Sequence, residues 1–258
     1  MYRGEPRPGA RPPLLVIAHG SRDPRHAETV RALTRRVAAT RAGLRVDTAF
    51  LDFCAPSVPQ AVRRLAADGV RQAVALPLLL TRAFHAKTDI PAVLRESAAA
   101  VPALRLRTAE VLGPSPLLTA ALERRLRGVG LRPGDRPSTG VVLACAGSTD
   151  PEARAVIDGI AREWERTGWS AVRPAFASAS LPRTEDAVRA LRAEGVRRIA
   201  VAPYVVAPGF LPDRIARGAR EAGADVLAPV LGAAPELAAL LLDRYDEALV
   251  RVRRHQAA

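Results

Sequence analysis

Lysine is nearly absent from this chain. Lys87 stands alone among 39 basic residues, and the other cations are arginine. With alanine abundant, that bias reads as coding preference rather than selection for a basic surface. Cysteine is scarce too: Cys54 and Cys145 lie in different halves of the 258 residues, each beside a predicted strand. Two such residues exclude a disulfide framework and a cysteine-only metal site, and read as buried free thiols of a reducing, cytoplasmic compartment. Aromatic residues make up 4% of the chain, so its cores must be built from Ala, Val and Leu. No apolar run approaches membrane-spanning length, which excludes a helical membrane anchor in this sequence. Met1–Pro13 is rich in Pro, Arg and Gly, lacks an apolar signal core, and is expected to be a disordered extension. Zinc-finger spacing, an aromatic-basic RNA-binding phrase and an isolated basic arm are all missing, which speaks against nucleic acid as partner. The net charge of +13 remains a field that attracts small polycarboxylates.

What is present begins at Leu14–Asp23, Leu-Leu-Val-Ile-Ala-His-Gly-Ser-Arg-Asp. An unbroken apolar run stops at His19, Gly20 and Ser21, and Pro24 opens an amphipathic segment. That is the pattern of a buried parallel strand, a tight turn and a helix with proline in its first turn. Further strands are predicted at Val46–Leu51, Gln72–Leu80 and Leu104–Ala109, with Pro77 marking an end or a bulge because it cannot donate to a ladder. Helices are predicted at Pro24–Ala42, Val58–Ala67, from about Ile90 and Pro91, and at Pro114–Arg127. Gly128–Gly140, with four glycines and two prolines, is the linker candidate. Beyond it the order recurs: strands at Val141–Ala146, Ala171–Ala177, Arg197–Val206 and Asp225–Leu227, and helices at Pro151–Thr167, Glu185–Glu194, within Pro208–Ala222, and at Pro235–Val252.

The recurrence extends to residues. His19-Gly20-Ser21 and Asp23-Pro24 match Ala146-Gly147-Ser148 and Asp150-Pro151 at an offset of 127. Ala49-Phe50, Ala61-Val62, Gly69-Val70-Arg71 and Pro77 match Ala175-Phe176, Ala187-Val188, Gly195-Val196-Arg197 and Pro203 at an offset of 126. One residue of drift over that length indicates an internal duplication. The fold class is therefore α/β, with two similar lobes, each a parallel sheet flanked by helices. The expected division is an extension at 1–13, a first lobe at 14–127, a linker at 128–140, a second lobe at 141–252 and a tail at 253–258. Two such lobes are expected to face one another across a cleft. With both in one chain, a monomer suffices and a homodimer is equally allowed.

Three ionisable groups follow successive strands of the first lobe: His19, Asp52 and His85. Strand ends of a parallel sheet share one edge, where open α/β proteins hold ligands, so these groups can converge. Two imidazoles and a carboxylate suit a borderline divalent cation, and equally suit proton transfer near neutral pH. The structural alternatives are a buried histidine donating to a carbonyl at position 19 and a solvated loop histidine at position 85. His26, on the first helix, and His255, in the tail, are expected to be solvated. The second lobe keeps Gly147, Ser148, Asp150 and Pro151 but has Ala146 for His19 and about Leu211 for His85. A retained turn without its ionisable groups points to one active lobe and one degenerate lobe. A nucleophile-elbow reading of His-Gly-Ser fails because the flanking glycines are missing, and no phosphate-loop pattern occurs.

The phrases Ala18-His19-Gly20-Ser21-Arg22-Asp23-Pro24, Phe50-Leu51-Asp52-Phe53-Cys54-Ala55-Pro56-Ser57, Pro77-Leu78-Leu79-Leu80 and His85-Ala86-Lys87-Thr88-Asp89-Ile90-Pro91, in that order, resemble the class II chelatases. More narrowly they resemble the sirohydrochlorin cobalto- and ferrochelatases, over about Leu14–Leu249. The resemblance implies a two-lobed chelatase fold and ATP-independent insertion of a divalent metal, Co²⁺ or Fe²⁺, into sirohydrochlorin, for sirohaem or cobalamin biosynthesis. It implies that His19 and His85 face metal and macrocycle, and that catalytic residues reside in one lobe. Asp52 stands where the family often has glutamate, one methylene longer. Sirohydrochlorin and the metal are the implied substrates, with no tightly bound cofactor. By position, Gly20, Ser21, Arg22, Arg82 and Lys87 are candidates for binding the substrate carboxylates. A metal or tetrapyrrole carrier using the same residues without turnover is the alternative.

Overall fold

The computed structural model describes residues 11–82 and 88–255, with side chains to residue 250. It divides into two compact units. The first comprises Met1–Gly113 and Ala238–Ala258, the second Pro114–Leu237.

In the first unit the order is β1 (Leu14–Ala18), α1 (Pro24–Thr40), β2 (Val46–Phe50), α2 (Val58–Ala67), β3 (Gln72–Pro77), α3 (Ile90–Ala99) and β4 (Arg105–Thr108). The strands form a parallel sheet ordered β2-β1-β3-β4, with β1 central. Register runs from Leu14 opposite Val46 to Ala18 opposite Phe50. Every residue of β1 is buried, which is why the run has no polar residue. Leu15 and Ile17 pack with Val62 and Leu65 of α2 and Ile90 and Leu94 of α3 in one apolar cluster. Pro77 is the last residue of β3. Asp23 caps α1 by accepting the Arg25 N–H at 2.9 Å, and Ser57 with Gln60 forms a capping box at α2.

The second unit comprises α4 (Pro116–Gly128), β5 (Thr139–Cys145), α5 (Pro151–Glu165), β6 (Ala171–Phe176), α6 (Thr184–Ala193), β7 (Arg198–Tyr204), α7 (Phe210–Glu221) and β8 (Val226–Leu227). Its sheet order, β6-β5-β7-β8, repeats the first. A final helix, α8 (Pro235–His255), opens here and belongs to the first unit from Ala238 onward.

The division between units does not fall in Gly128–Gly140. Pro133–Ser138 is a 3₁₀ turn closed by the Arg132 N–H on the Asp135 carboxylate at 2.7 Å, and β5 starts at Thr139. Helix α4, although it follows the first four strands in sequence, belongs to the second unit. Its Arg125 donates to the Leu231 carbonyl, and its Glu123 accepts from the Trp164 and Trp169 indoles at 2.7 and 3.1 Å. Helix α8 is held reciprocally in the first unit. The Tyr245 hydroxyl donates to the Pro12 carbonyl at 2.7 Å, and Arg41 binds Asp246 through two bonds of 2.6 and 2.7 Å. Each half of the sequence thus lends its last helix to the other unit. Pro12 and Pro13, placed in the expected extension over 1–13, are tied in, Pro13 through its carbonyl to the Val74 N–H at 2.9 Å; residues 1–10 lie outside the described residues. Among the described residues no helix is long and apolar enough to cross a membrane.

Candidate active site

The chain leaves buried β1 at His19, whose side chain is exposed. Two bonds continue the β1–β2 pairing past the strands: the Leu51 N–H to the Ala18 carbonyl at 3.0 Å, and the Asp52 N–H to the His19 carbonyl at 2.9 Å. His19 and Asp52 are therefore neighbours at the carboxyl edge of the sheet, as their positions after adjacent strands predict. Gly20 makes the approach possible. Its φ is +97°, and a Cβ there would overlap the Asp52 carbonyl oxygen. The Asp52 side chain is exposed, and its Oδ1 accepts the Phe53 N–H at 2.8 Å.

The next residues fix the turn. Ser21 Oγ accepts the Asp23 N–H at 3.1 Å, and the Cys54 thiol donates to the Ser21 carbonyl at 3.1 Å. Ser21 is thereby committed to the turn through both groups. Arg22 is exposed, with its guanidinium carbon 5.0 Å from the centroid of the Phe53 ring. Arg82 lies on the chain beyond β3 and is ion-paired with Glu110, so its charge is already engaged. His85 and Lys87 lie outside the described residues. Among the described residues no group of three or more His, Cys, Asp or Glu side chains is placed to hold a metal ion.

The second unit repeats this turn almost atom for atom. Gly147 has φ +104°, and a Cβ there would overlap the Ser178 carbonyl. The Ser178 N–H donates to the Ala146 carbonyl at 2.9 Å, Ser148 Oγ accepts the Asp150 N–H at 3.1 Å, and the Ser180 hydroxyl bonds the Ser148 carbonyl as Cys54 bonds Ser21. Gly20, Ser21, Asp23 and Cys54 are therefore accounted for by the turn. His19, Arg22, Asp52 and Phe53 are replaced by Ala146, Thr149, Ser178 and Ala179 and belong to the first unit alone.

Two further residues escape sequence reasoning. His26, expected in solvent, is half-buried, and its Nδ1 is enclosed without a hydrogen-bond partner. Burial, followed by the nearby His19 charge, holds its pKa below the ordinary 6.5. The reason lies in its position on the first turn of α1, against the Phe50 ring at 6.4 Å between centroids. Phe53 is the other: its ring is 53% exposed and its φ is +60°. The available signal was a bulky aromatic beside the carboxylate in an aromatic-poor chain. Cys145 is fully buried, and its thiol is pushed far above the usual range, which makes it inert.

The CbiX family model matches residues 13–129 and 140–248. A sirohydrochlorin cobaltochelatase of Priestia megaterium is 27% identical over 246 residues, spanning 92% of this chain and 79% of that protein. A sirohydrochlorin ferrochelatase of Bacillus subtilis (strain 168) is 25% identical over 239 residues, spanning 91% of this chain and 90% of the relative. Among solved structures, SirB from Bacillus subtilis with Fe³⁺ superposes with a TM-score of 0.80 at 24% identity, covering 92% of this chain and 95% of that one, a likeness of fold. With both halves matched by one model, the chain belongs to the CbiX family.

Proposed function

We propose that this protein inserts a divalent metal, Co²⁺ or Fe²⁺, into sirohydrochlorin without ATP. The observation that carries the reading is the family match over both halves, in which the full-length relatives are named for this reaction with cobalt and with iron. The geometry supports it from the chemical side. A metal entering the macrocycle sheds water while two pyrrole protons leave. His19, exposed at the strand end, offers an imidazole that holds the ion loosely or takes a proton, and Asp52 stands beside it as the carboxylate. His85 is assigned the second imidazole on sequence alone. An incomplete set of this kind releases the metal, whereas a closed four-ligand shell would retain it.

The macrocycle is a polycarboxylate, and Arg22, Lys87 and the backbone of Gly20 and Ser21 are the proposed contacts for it, within the attraction of a +13 chain. Arg82, paired with Glu110 through one guanidinium nitrogen, is a further candidate contact. The metal is a substrate, and no tightly bound cofactor is invoked. Free Cys54 and Cys145 fit a cytoplasmic setting. The test is the anaerobic absorbance change of sirohydrochlorin with Co²⁺ or Fe²⁺. Metallation well above the protein-free rate is expected. Stoichiometric binding of macrocycle or metal at the background rate would instead identify a carrier.

A further inference from the structure

We infer that Phe53 and Arg22 form a macrocycle-seating subsite: the exposed ring meets the flat tetrapyrrole and the guanidinium stacked on it takes a peripheral carboxylate. The inference rests on the chelatase reading of the same edge and adds two positioning residues to it.

The backbone supplies the first observation. Phe53 has φ +60°, a left-handed conformation that bulky residues seldom adopt. Its counterpart Ala179 has φ +59°, so the conformation belongs to the duplicated turn and not to the phenyl ring. A small residue satisfies that turn in the second unit. In the first unit the same position carries one of only five phenylalanines in the chain, with 53% of it exposed. The side chain therefore gains little by burial within its own unit while enlarging an apolar surface in water.

Charge supplies the second observation. Arg22, in the β1–α1 turn three residues after His19, lies 5.0 Å from the ring centroid, within cation–π range. Among the described residues no carboxylate is ion-paired with it. The second unit has Thr149 here, so cation and aromatic are absent together, as are His19 and Asp52. An apolar face backed by a guanidinium, with its two loops joined through the Asp52 N–H and the His19 carbonyl, matches the chemistry of a planar polycarboxylate and not that of a hydrated metal ion.

The test titrates metal-free sirohydrochlorin, anaerobically and by its own fluorescence, into the wild-type chain and into Phe53→Ala, Phe53→Leu, Phe53→Tyr, Phe53→Trp and Arg22→Ala. Phe53→Ala and Phe53→Leu are expected to raise Kd about tenfold or more, the scale of one lost aromatic stacking contact. Phe53→Tyr and Phe53→Trp should stay within about threefold, because the ring face is kept. Arg22→Ala should also weaken binding, and by less in the Phe53→Ala background, because the two side chains act as a pair. The melting temperature of Phe53→Ala should not fall; a raised Kd accompanied by a fall in melting temperature in both Phe53→Ala and Phe53→Leu would mark a structural role and overturn the inference. A Kd for Phe53→Ala equal to wild type overturns it outright. Metallation kinetics separate the two readings. Phe53-dependent binding without turnover overturns the chelatase reading and leaves the subsite, whereas turnover with Phe53-independent binding does the reverse.

Discussion

The two units fold the same phrase and furnish it differently. Where β1 and β2 end, the chain places His19, Arg22, Asp52 and Phe53 on two joined loops set by Gly20, Ser21, Asp23 and Cys54. Where β5 and β6 end, the same joined loops, set by Gly147, Ser148, Asp150 and Ser180, carry Ala146, Thr149, Ser178 and Ala179. His26 also has no imidazole counterpart, the second unit placing the buried Ala153 there, but it is enclosed rather than offered to a ligand. The duplication therefore acts as an internal control: whatever both units keep holds the backbone, and whatever only the first keeps is free to serve a ligand. Ser21, a candidate from its place in the motif, falls on the scaffold side. Phe53 falls on the ligand side.

The largest effect on folding should come from the shared glycines. Gly20→Ala and Gly147→Ala each drive a Cβ into a carbonyl oxygen and force a positive φ, and should destabilise by about 3 kcal/mol or more. Denaturant titration should find the two alike; a tolerated Gly147→Ala would break the equivalence of the turns. Next, Asp52→Asn should slow metal insertion roughly tenfold or more through loss of a carboxylate that can hold a cation or proton, while Ser178→Ala leaves the rate unchanged. Equal effects of the two in steady-state kinetics would deny the asymmetry.

Smaller still is a pH effect. Because the folded His26 has a pKa below 6.5, the unfolded chain takes up that proton first as pH falls. The contribution is fully present above about pH 6.5 and is lost as pH drops toward the folded value, so metal-free protein should lose stability on acidification through that window. His26→Gln should flatten the slope in urea titrations at stepped pH, and an unchanged slope would contradict the buried placement. The smallest effect belongs to Cys54→Ser, which installs the hydroxyl that the second unit uses as Ser180. Melting temperature and activity should hold, with stability within about 0.5 kcal/mol.

Much of the architecture is legible in the chain itself. The buried run Leu14–Ala18, the stop at Pro77 and the offset repeat lead to two parallel sheets of one order, because burial and ladder chemistry leave local marks. The exchange of α4 and α8 leaves none. Apolar periodicity shows that a helix has a buried stripe, but not which sheet receives it, and a Gly- and Pro-rich stretch marks turns whether or not a boundary lies there. The site divides the same way. His19 and Asp52 are adjacent because the strands they follow are adjacent, which sequence order supports. The Arg82–Glu110 pair, the enclosure of His26 and the left-handed Phe53 arise from contacts and dihedrals without a local signature.

The central claim, that the chemistry resides on the first unit's edge and only its scaffold on the second, meets its most direct test in one substitution. Anaerobic cobalt insertion into sirohydrochlorin should fall at least ~100-fold in His19→Ala, the scale of a lost acid–base group. The melting temperature should hold, because the imidazole is exposed and the turn beneath it is maintained by Gly20, Ser21 and Asp23. A rate within twofold of wild type in that variant would contradict the account.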